Sequence, residues 1–305
     1  MSRPVLVSRT RFPGDAFARA EALFDVRITD GPLRDACIRG EHADAAAIWS
    51  FGERIDDELL DALPNLRAVG NEGVGFDTVD VAALDRRGIA LCIPRGQNAA
   101  AVADHALALL LALRHQVVAG DRYIREGHWG QRGAEEPQGL DIAGTTLGIV
   151  GLGNIGQAVA RRADVFGLRV VGWNRTPRPE TGIEQLPLDD LLQRSDHVTL
   201  HCALADTTRG LLGAREIALL RPTAVLINTA RGAIVDNEAL VAALQEDRLW
   251  GAGLDVFPEE PKVDPRLLEH PRVVVTPHIA DNQPGVYASL TEAVVVGLEA
   301  VFAPR

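Results

Sequence analysis

The sequence is nearly devoid of lysine. Among the 31 basic residues of the 305-residue chain, Lys262 is the single lysine and all the others are arginines. Lys262 lies in a proline-rich acidic stretch that is typical of a solvated loop. A Schiff-base enzyme needs a buried lysine nucleophile, and a P-loop needs a lysine after its second glycine. The sequence therefore disfavours both of these classes.

Cysteine, basic clusters and long apolar runs are also scarce. The three cysteines, Cys37, Cys92 and Cys202, are too scattered for a disulfide framework or a metal cluster. A formal net charge of -11 without a basic run disfavours nucleic acids and anionic membranes as partners. The apolar run at residues 5–7 is too short for a signal peptide, and charged residues interrupt the longest run, 99–119, before it reaches the roughly 18 residues of a membrane span. We therefore expect a cytoplasmic protein without a metal site, a membrane anchor or a nucleic-acid partner.

Short apolar segments alternate with helix-length segments along the whole chain. One series runs from residue 5 to residue 92, and a second starts at Thr146 and ends with an apolar helix after Pro284-Gly285. The alternation predicts parallel sheets with helices on both faces, and the length of the chain allows two domains. We expect the closing helix to complete a discontinuous first domain.

The segment between the two series, residues 99–126, is predicted to be one long helix. Alanines form one stripe along it, and leucines cover much of the remaining surface. A helix that is apolar on more than one face must be buried between domains or between subunits.

A glycine-rich turn stands between the first strand and the first helix of the second series. Gly151, Gly153 and Gly156 form the pattern G-x-G-x-x-G. In such a turn the first glycine permits the bend, the second lets the backbone approach a pyrophosphate, and the third lets helix and strand pack closely. The amides of Asn154 and Ile155 would then form an anion site at the helix N-terminus. The pattern and its context predict a dinucleotide-binding site.

The residue that ends the next strand bears on the choice between NAD and NADP. NAD-binding proteins place an acid there to hold the ribose 2′-hydroxyl, whereas this chain has Asn174, followed by Arg175, Thr176 and Arg178. A guanidinium attracts a 2′-phosphate, and a carboxylate repels it. The stretch therefore favours NADP. The alternative is that the arginines only solvate a loop and that Asn174 holds an unphosphorylated ribose.

Three polar residues follow the ends of later strands, where ligands bind in open α/β sheets. They are Arg231, Glu260 and His278. A planar arginine suits a carboxylate, and a histidine can protonate a carbonyl oxygen as hydride reaches the carbon. A carboxylate beside the histidine orients its ring and favours the imidazolium. The set predicts hydride transfer to a 2-oxo acid, although each residue taken singly also fits an ordinary role as a surface ion pair, a loop acid or a turn histidine.

Motifs through most of the chain are similar to those of one enzyme family. They are Gly73-Val74-Gly75-Phe76-Asp77, Gly96-Gln97-Asn98-Ala99, Val102-Ala103-Asp104-His105-Ala106, the glycine-rich turn, Asn228-Thr229-Ala230-Arg231-Gly232, Gly253-Leu254-Asp255-Val256-Phe257, Glu260-Pro261 and Thr276-Pro277-His278. In combination they resemble the D-isomer-specific 2-hydroxyacid dehydrogenase family, which includes glyoxylate/hydroxypyruvate reductases and phosphoglycerate dehydrogenases. The resemblance covers nearly the whole chain, with specific motifs from about Asn65 onward.

The resemblance implies an α/β fold with two doubly wound parallel-sheet domains. A Rossmann cofactor domain, residues 98–283, would be inserted in a discontinuous flavodoxin-like substrate domain, residues 1–97 plus 284–305, with the active site in the cleft. The helix that starts at Ala99 would form a homodimer, which would explain its excess of apolar surface.

The resemblance also implies roles for individual residues. Arg231 and the backbone amides of Val74 and Gly75 would bind the substrate carboxylate, while His278 would act as the acid/base with Glu260 as its partner. The cofactor would bind to the glycine-rich turn and to residues at the ends of later strands. These residues are Asn174, Arg175, Thr176, Cys202, Ala203, Thr208, Thr229, Ala230 and Asp255, the last of them at the nicotinamide carboxamide.

The chain departs from the family's pattern near several of these positions. Asn174 replaces the usual aspartate, Ala203 replaces a proline, and residues 279–283 stand where small residues and Ser/Thr are usual. Glu72 would repel an anionic substrate, unless the alternation of side chains in extended backbone turns it away. Arg95, where proline is common, is a second candidate cation.

Together these features predict an NADP-preferring oxidoreductase that interconverts small 2-oxo acids and D-2-hydroxy acids, with glyoxylate or hydroxypyruvate as the leading substrate. NAD stays an alternative cofactor. A second candidate is an NAD-dependent dehydrogenase of a larger or phosphorylated 2-hydroxy acid. A candidate of another class is a nucleotide-sensing corepressor, which the same family includes, although the chain lacks the long tails that such proteins usually carry.

Overall fold

The chain packs as two units in the computed structural model. Residues Met1–Asn98 and Asp281–Arg305 form the first unit, and residues Ala99–Ala280 form the second. The predicted domain limits, after residue 97 and before residue 284, lie beside these points. The structure describes residues 3–12, 15–131 and 135–303. The predicted domains also include residues outside the described ones, namely 1–2, 13–14, 132–134 and 304–305.

Strands and helices alternate along the described residues. The strands are β1 Val5–Ser8, β2 Asp25–Ile28, β3 Ala45–Ser50, β4 Ala68–Asn71, β5 Ala90–Cys92, β6 Thr146–Val150, β7 Arg169–Trp173, β8 Glu184–Gln185, β9 His197–Leu200, β10 Val225–Asn228, β11 Gly251–Leu254 and β12 Val273–Val275. The helices are α1 Asp15–Leu23, α2 Leu33–Ile38, α3 Asp57–Asp61, α4 Val81–Arg87, α5 Ala99–Arg114, α6 Val117–Arg125, α7 Asn154–Ala163, α8 Leu188–Arg194, α9 Ala214–Ile217, α10 Asn237–Gln245, α11 Pro265–Glu269 and α12 Pro284–Phe302.

A five-stranded parallel sheet in the order β2-β1-β3-β4-β5 forms the centre of the first unit. This is the strand order of flavodoxin-like folds. Helix α12 packs on β4, β5 and α1, so the C-terminal segment completes this unit. Gly70 of β4 allows the close approach, because a Cβ at this position would lie only 2.8 Å from the Val294 side chain.

The expectation that no apolar segment reaches membrane-spanning length is wrong for helix α12. Its 19 residues are long and apolar enough for a span by length and composition. Val294, Val295 and Leu298 are buried, and they belong to one core cluster with Phe24 and Trp49. The side of α12 that carries these buried residues therefore packs within the first unit.

A seven-stranded parallel sheet in the order β12-β11-β10-β9-β6-β7-β8 forms the centre of the second unit. The six strands β6 to β11 reproduce the order 3-2-1-4-5-6 of a Rossmann fold, and β12 adds one strand at the edge. Buried apolar residues form a core cluster on each side of this sheet. The predicted fold class, with two doubly wound parallel-sheet units, is confirmed.

The single helix predicted for residues 99–126 is wrong, because the chain bends between α5 and α6. Gln116 stands between the two helices with a left-handed φ of 53°, and their axes differ by 57°. Helix α5 packs within the second unit on α7, β10 and β11. Its apolar surface is thus largely covered inside one unit, whereas large exposed apolar side chains lie farther along, at Val117, Val118, Ile124 and Trp129.

The apolar pattern does not predict β2 or β8, which lie at the edges of their sheets. Asp25 and Arg27 make β2 partly polar, and β8 consists of Glu184 and Gln185. An edge strand pairs on one side only and is less buried, so it needs no continuous apolar run.

Candidate active site

The candidate catalytic residues of the second unit lie at the carboxyl-terminal edge of its sheet. Strands β10, β11 and β12 are parallel neighbours, so the loops that follow them begin side by side. Gly232, after β10, packs directly against the backbone of Phe257, after β11, and a Cβ at Gly232 would collide with that backbone. Glycine is therefore required here for the loop that carries Arg231 to lie on the loop that carries Glu260.

Glu260 and His278 are in direct contact. The Nδ1 atom of His278 lies 2.7 Å from Oε2 of Glu260, and Oε1 of the same carboxyl accepts a hydrogen bond of 3.0 Å from the Phe257 amide. The His278 side chain is 45% exposed. Because the carboxylate fixes the proton on Nδ1, Nε2 is the ring nitrogen that can exchange a proton with a ligand.

The backbone of His278 has an unusual conformation that its neighbours hold in place. Its φ is 53°, in the left-handed region that non-glycine residues rarely adopt. Its amide donates to the carbonyl oxygens of Asp255, at 2.8 Å, and Thr276, at 3.0 Å. Since few residues tolerate this conformation without support, the surrounding hydrogen bonds determine where the imidazole ring lies.

Asp255 is buried beneath this turn. Its Oδ1 atom accepts from the Ile279 amide at 2.9 Å and from the Thr276 hydroxyl at 2.5 Å, and Oδ2 accepts from the Ala280 amide at 3.0 Å. Burial alone would raise the pKa of the carboxyl, but hydrogen bonds from His105, Thr276 and the two amides outweigh it and lower the pKa below its usual value. Asp255 is therefore held as a carboxylate.

Arg231 is partly buried on the loop after β10. Its Nη1 donates to the Ala230 carbonyl at 2.8 Å, and its own carbonyl accepts from Asn228 Nδ2 at 2.9 Å. The Oδ1 atom of Asn228 also accepts from the Ala230 amide at 3.0 Å. Asn228 therefore shapes the loop that presents Arg231, while packing against Phe257 brings this loop beside the Glu260–His278 pair.

The glycine-rich turn has the close contacts that a dinucleotide cradle requires. The Gly151 amide donates to the Trp173 carbonyl, and a Cβ at Gly151, which has a φ of 103°, would lie 2.5 Å from the Cys202 amide. A Cβ at Gly156 would collide with the Gly151 carbonyl, so helix α7 and the turn are packed backbone against backbone. Gly153 has open space at its Cβ position and starts α7 without a side-chain cap. These residues fit a pyrophosphate lying at the amides of Asn154 and Ile155.

Asn174 and Arg175 follow β7 beside this turn. The amide of Asn174 bridges two backbone groups, since Oδ1 accepts from the Leu152 amide at 3.0 Å and Nδ2 donates to the Thr176 carbonyl at 2.7 Å. An aspartate could not donate the second bond. Arg175 is exposed, and its Nη1 donates to the Thr207 hydroxyl at 3.0 Å.

The loop after β9 contains three more of the predicted cofactor residues. The buried Thr208 donates its hydroxyl to the Ala203 carbonyl at 2.7 Å and accepts from the Ala205 amide at 2.8 Å, so its side chain folds this loop. Cys202 lies against Gly151, and burial raises the pKa of its thiol to about 11. The thiol is therefore neutral at physiological pH.

Thr229 follows β10 in the position predicted for a cofactor contact. Its hydroxyl oxygen is buried and has no hydrogen-bond partner among the described residues. Buried polar atoms nearly always have a partner, so a hydroxyl in this state is suited to a ligand.

The predicted substrate amides of Val74 and Gly75 lie in the first unit, in the loop after β4. Asn71 folds this loop by donating from Nδ2 to the carbonyls of Gly73, at 2.5 Å, and Gly75, at 3.0 Å. In the described residues, the amides of Val74 and Gly75 donate no hydrogen bond to another backbone group. Backbone amides in a glycine-rich loop suit an anion, as their predicted contact with the substrate carboxylate requires.

Glu72, beside this loop, points into the core of the first unit. Its carboxyl accepts from Trp49 Nε1 at 2.9 Å and from the Thr291 hydroxyl at 2.7 Å. Burial raises the pKa of Glu72, although these two hydrogen bonds oppose the effect. The guanidinium of Arg95 lies 5.5 Å from the centre of the Phe76 ring.

The sequence did not predict a role for two residues that organise loops of the candidate site in the second unit. His105 on α5 interrupted an apolar run, and its Nε2 lies 2.9 Å from the Thr276 hydroxyl. Asn228 received no role of its own, although its amide organises the Arg231 loop. A polar residue inside an otherwise apolar helix was the available signal for His105.

Comparison with known proteins identifies the family. The sequence model described as the NAD-binding domain of D-isomer-specific 2-hydroxyacid dehydrogenases matches residues 107–280. The chain belongs to this family. It is similar to the glyoxylate reductase of Thermococcus gammatolerans, with 43% identity over 261 residues that cover 83% of this chain and 78% of the relative. The glyoxylate reductase of Thermococcus onnurineus is 38% identical over 309 residues, covering 98% and 92%.

A solved structure of the family extends this similarity to three dimensions. It is an NADPH-dependent glyoxylate/hydroxypyruvate reductase of Sinorhizobium meliloti in complex with NADP and malonate. It has 33% sequence identity and a TM-score of 0.90, and the match covers 99% of this chain and 94% of that one. The family membership predicted from the motifs is confirmed, and with it oxidoreductase activity as a D-2-hydroxyacid dehydrogenase with a nicotinamide cofactor.

Proposed function

We propose that the protein reduces glyoxylate or hydroxypyruvate to the corresponding hydroxy acid and prefers NADPH as the hydride donor. The contact that carries this proposal is the 2.7 Å pair of His278 and Glu260 at the carboxyl-terminal edge of the sheet that also presents the glycine-rich turn. Glyoxylate reductases among the relatives support the choice of substrate.

Each catalytic side chain has one task in this reaction. Bound NADPH supplies the hydride that C2 of the 2-oxo acid receives. His278 gives the proton on Nε2 to the carbonyl oxygen, so that a hydroxy acid and a neutral imidazole result. Glu260 holds Nδ1 and stabilises the imidazolium before the transfer. Arg231 binds the substrate carboxylate as a fixed cation, and the amides of Val74 and Gly75 are proposed to bind carboxylate as well.

The preference for NADPH rests on Asn174 and Arg175. A carboxylate at position 174 would repel a 2′-phosphate, whereas the neutral amide of Asn174 already bridges Leu152 and Thr176. Arg175 supplies an exposed guanidinium next to it. Asn154, Ile155, Thr176, Cys202, Ala203, Thr208, Thr229, Ala230 and Asp255 are the further residues that we propose for the cofactor site.

We also propose a cytoplasmic homodimer. The exposed apolar side chains of Val117, Val118, Ile124 and Trp129 support an interface at α6 and the turn after it, rather than along the buried length of α5. Large exposed apolar patches commonly mark protein interfaces.

A substrate and cofactor panel tests this proposal. Oxidation of NADPH and NADH is followed separately with glyoxylate, hydroxypyruvate and a phosphorylated 2-oxo acid. We expect the highest kcat/KM with NADPH and one of the two small acids. A higher kcat/KM with NADH would refute the cofactor preference, and a preference for the phosphorylated acid would favour the alternative of an NAD-dependent dehydrogenase of larger substrates.

A further inference from the structure

A chain of hydrogen bonds links helix α5 to the turn that carries His278. The Nε2 atom of His105 lies 2.9 Å from the Thr276 hydroxyl oxygen and 3.4 Å from Oδ1 of Asp255. The Thr276 hydroxyl in turn donates to the same Oδ1 at 2.5 Å. Because this hydroxyl has one hydrogen, it accepts from His105 while it donates to Asp255.

Asp255 in turn accepts hydrogen bonds from the backbone of the turn that carries His278. Its side chain is fully buried, and its two oxygens accept the backbone amides of Ile279 and Ala280, which directly follow His278. Its carbonyl oxygen accepts the His278 amide itself. The backbone on both sides of the left-handed His278 is thus bound to one aspartate.

We infer that Asp255, held by Thr276 and His105, is the positioning residue of the catalytic histidine. Glu260 orients the imidazole ring through Nδ1, whereas the buried network fixes the backbone from which the ring projects. This inference rests on the proposed role of His278 in the reaction. This positioning task is additional to the proposed contact of Asp255 with the cofactor, because Oδ2 accepts one hydrogen bond, from the Ala280 amide, and a carboxylate oxygen can accept two.

Each side chain of this network must supply a particular hydrogen-bonding group. Asparagine at position 255 would turn an NH2 group towards backbone amides that also donate, so the turn would lose at least one hydrogen bond. Valine at position 276 keeps the shape of threonine but removes the hydroxyl that connects His105 to Asp255. Serine at position 276 keeps that hydroxyl.

A matched set of variants tests the inference. We compare Thr276→Val, Thr276→Ser, Asp255→Asn and His105→Ala with the control Thr145→Val. The control removes a different threonine–histidine contact of the same unit, between Thr145 Oγ1 and His197 Nε2 at 2.9 Å, which lies just before β6 and so at the opposite edge of the sheet.

We expect kcat to fall roughly tenfold or more in Thr276→Val and Asp255→Asn, as is usual when the partner of a catalytic group is lost. In Thr276→Val the KM for the cofactor should stay within about twofold of the wild-type value, and Thr276→Ser should recover most of kcat. His105→Ala should show a smaller loss in the same direction. A raised cofactor KM with unchanged kcat in Asp255→Asn would overturn the inference and favour the carboxamide contact.

Amide hydrogen exchange provides a readout that does not depend on turnover. The amides of Ile279 and Ala280 should exchange at least about tenfold faster in Thr276→Val than in the wild type or in Thr145→Val. If exchange at these amides and kcat were both unchanged, the network would have no positioning role. If the wild type reduced no 2-oxo acid, the proposed function would fail, while the exchange rates would still decide whether Asp255 and Thr276 hold the turn.

Discussion

Replacement of Glu260 by glutamine tests the contact on which proton transfer depends. In the wild type, Oε2 receives His278 Nδ1 at 2.7 Å and Oε1 receives the Phe257 amide at 3.0 Å, so both oxygens are acceptors. Glutamine has one acceptor oxygen and one NH2 donor. Whichever way the amide turns, it places a donor against a donor, either at the Phe257 amide or at an imidazolium N–H.

The size of the effect follows from the bond that is lost. A hydrogen bond to a charged group stabilises by about 1.5–3 kcal/mol, and about 1.4 kcal/mol corresponds to a tenfold change in rate. We therefore expect kcat for reduction to fall roughly ten- to a hundredfold in Glu260→Gln.

The assay is steady-state oxidation of NADPH with glyoxylate across a range of pH. Glu259→Gln is the matched control, because Glu259 is an adjacent, exposed acid that lies 3.9 Å from Lys262. We expect the control to keep kcat within about twofold, as removing an exposed ion pair has little effect. Wild-type kcat in Glu260→Gln at all pH values would refute the role of the carboxylate.

Three further predictions concern the substrate, the cofactor and the core. Arg231→Ala should raise the KM for the 2-oxo acid by roughly tenfold or more, measured at saturating cofactor, because a charged bidentate contact is lost; an unchanged KM would exclude the clamp. Arg175→Ala should weaken NADPH binding but not NADH binding, measured by quenching of tryptophan fluorescence, and equal effects on the two would argue against a 2′-phosphate contact. Glu72 has a pKa raised by burial, so its contribution to stability is full below the unfolded pKa of about 4.3 and is lost as pH rises through the folded pKa. Glu72→Gln should therefore become more stable relative to the wild type as pH increases over this range, which urea unfolding at several pH values measures; a constant difference would contradict it.

Local sequence patterns predicted the parts of the fold that depend on local chemistry. The glycine-rich turn was recognisable from the spacing of its three glycines, and close backbone contacts that need glycine are present at Gly151 and Gly156. Arg231, Glu260 and His278 were recognisable because each follows a strand, and parallel strands bring such positions to one edge. The edge strands β2 and β8 were not recognisable in the sequence, because a strand that is paired on one side only needs no apolar run.

Long-range contacts could not be predicted in the same way. His105 and Thr276 are 171 residues apart, and only the packing of α5 against β12 brings them together. The break at Gln116 was not predicted either, although the polar residues Arg114, His115 and Gln116 interrupt the apolar run at this point. From the sequence, only the alternation of side chains in extended backbone indicated where the Glu72 side chain points. Its partners, Trp49 and Thr291, come from distant elements.

The role of His278 as proton donor is tested most directly by comparing the wild type with His278→Asn in the reduction of glyoxylate. Cofactor binding is measured in parallel by fluorescence, so that loss of folding or of the dinucleotide site is distinguished from loss of proton transfer. We expect the wild type to reduce glyoxylate with NADPH. We expect His278→Asn to lose about a hundredfold or more in kcat while it binds the cofactor within about twofold of the wild-type affinity. Turnover by His278→Asn at the wild-type rate would contradict the assignment of His278 as the proton donor.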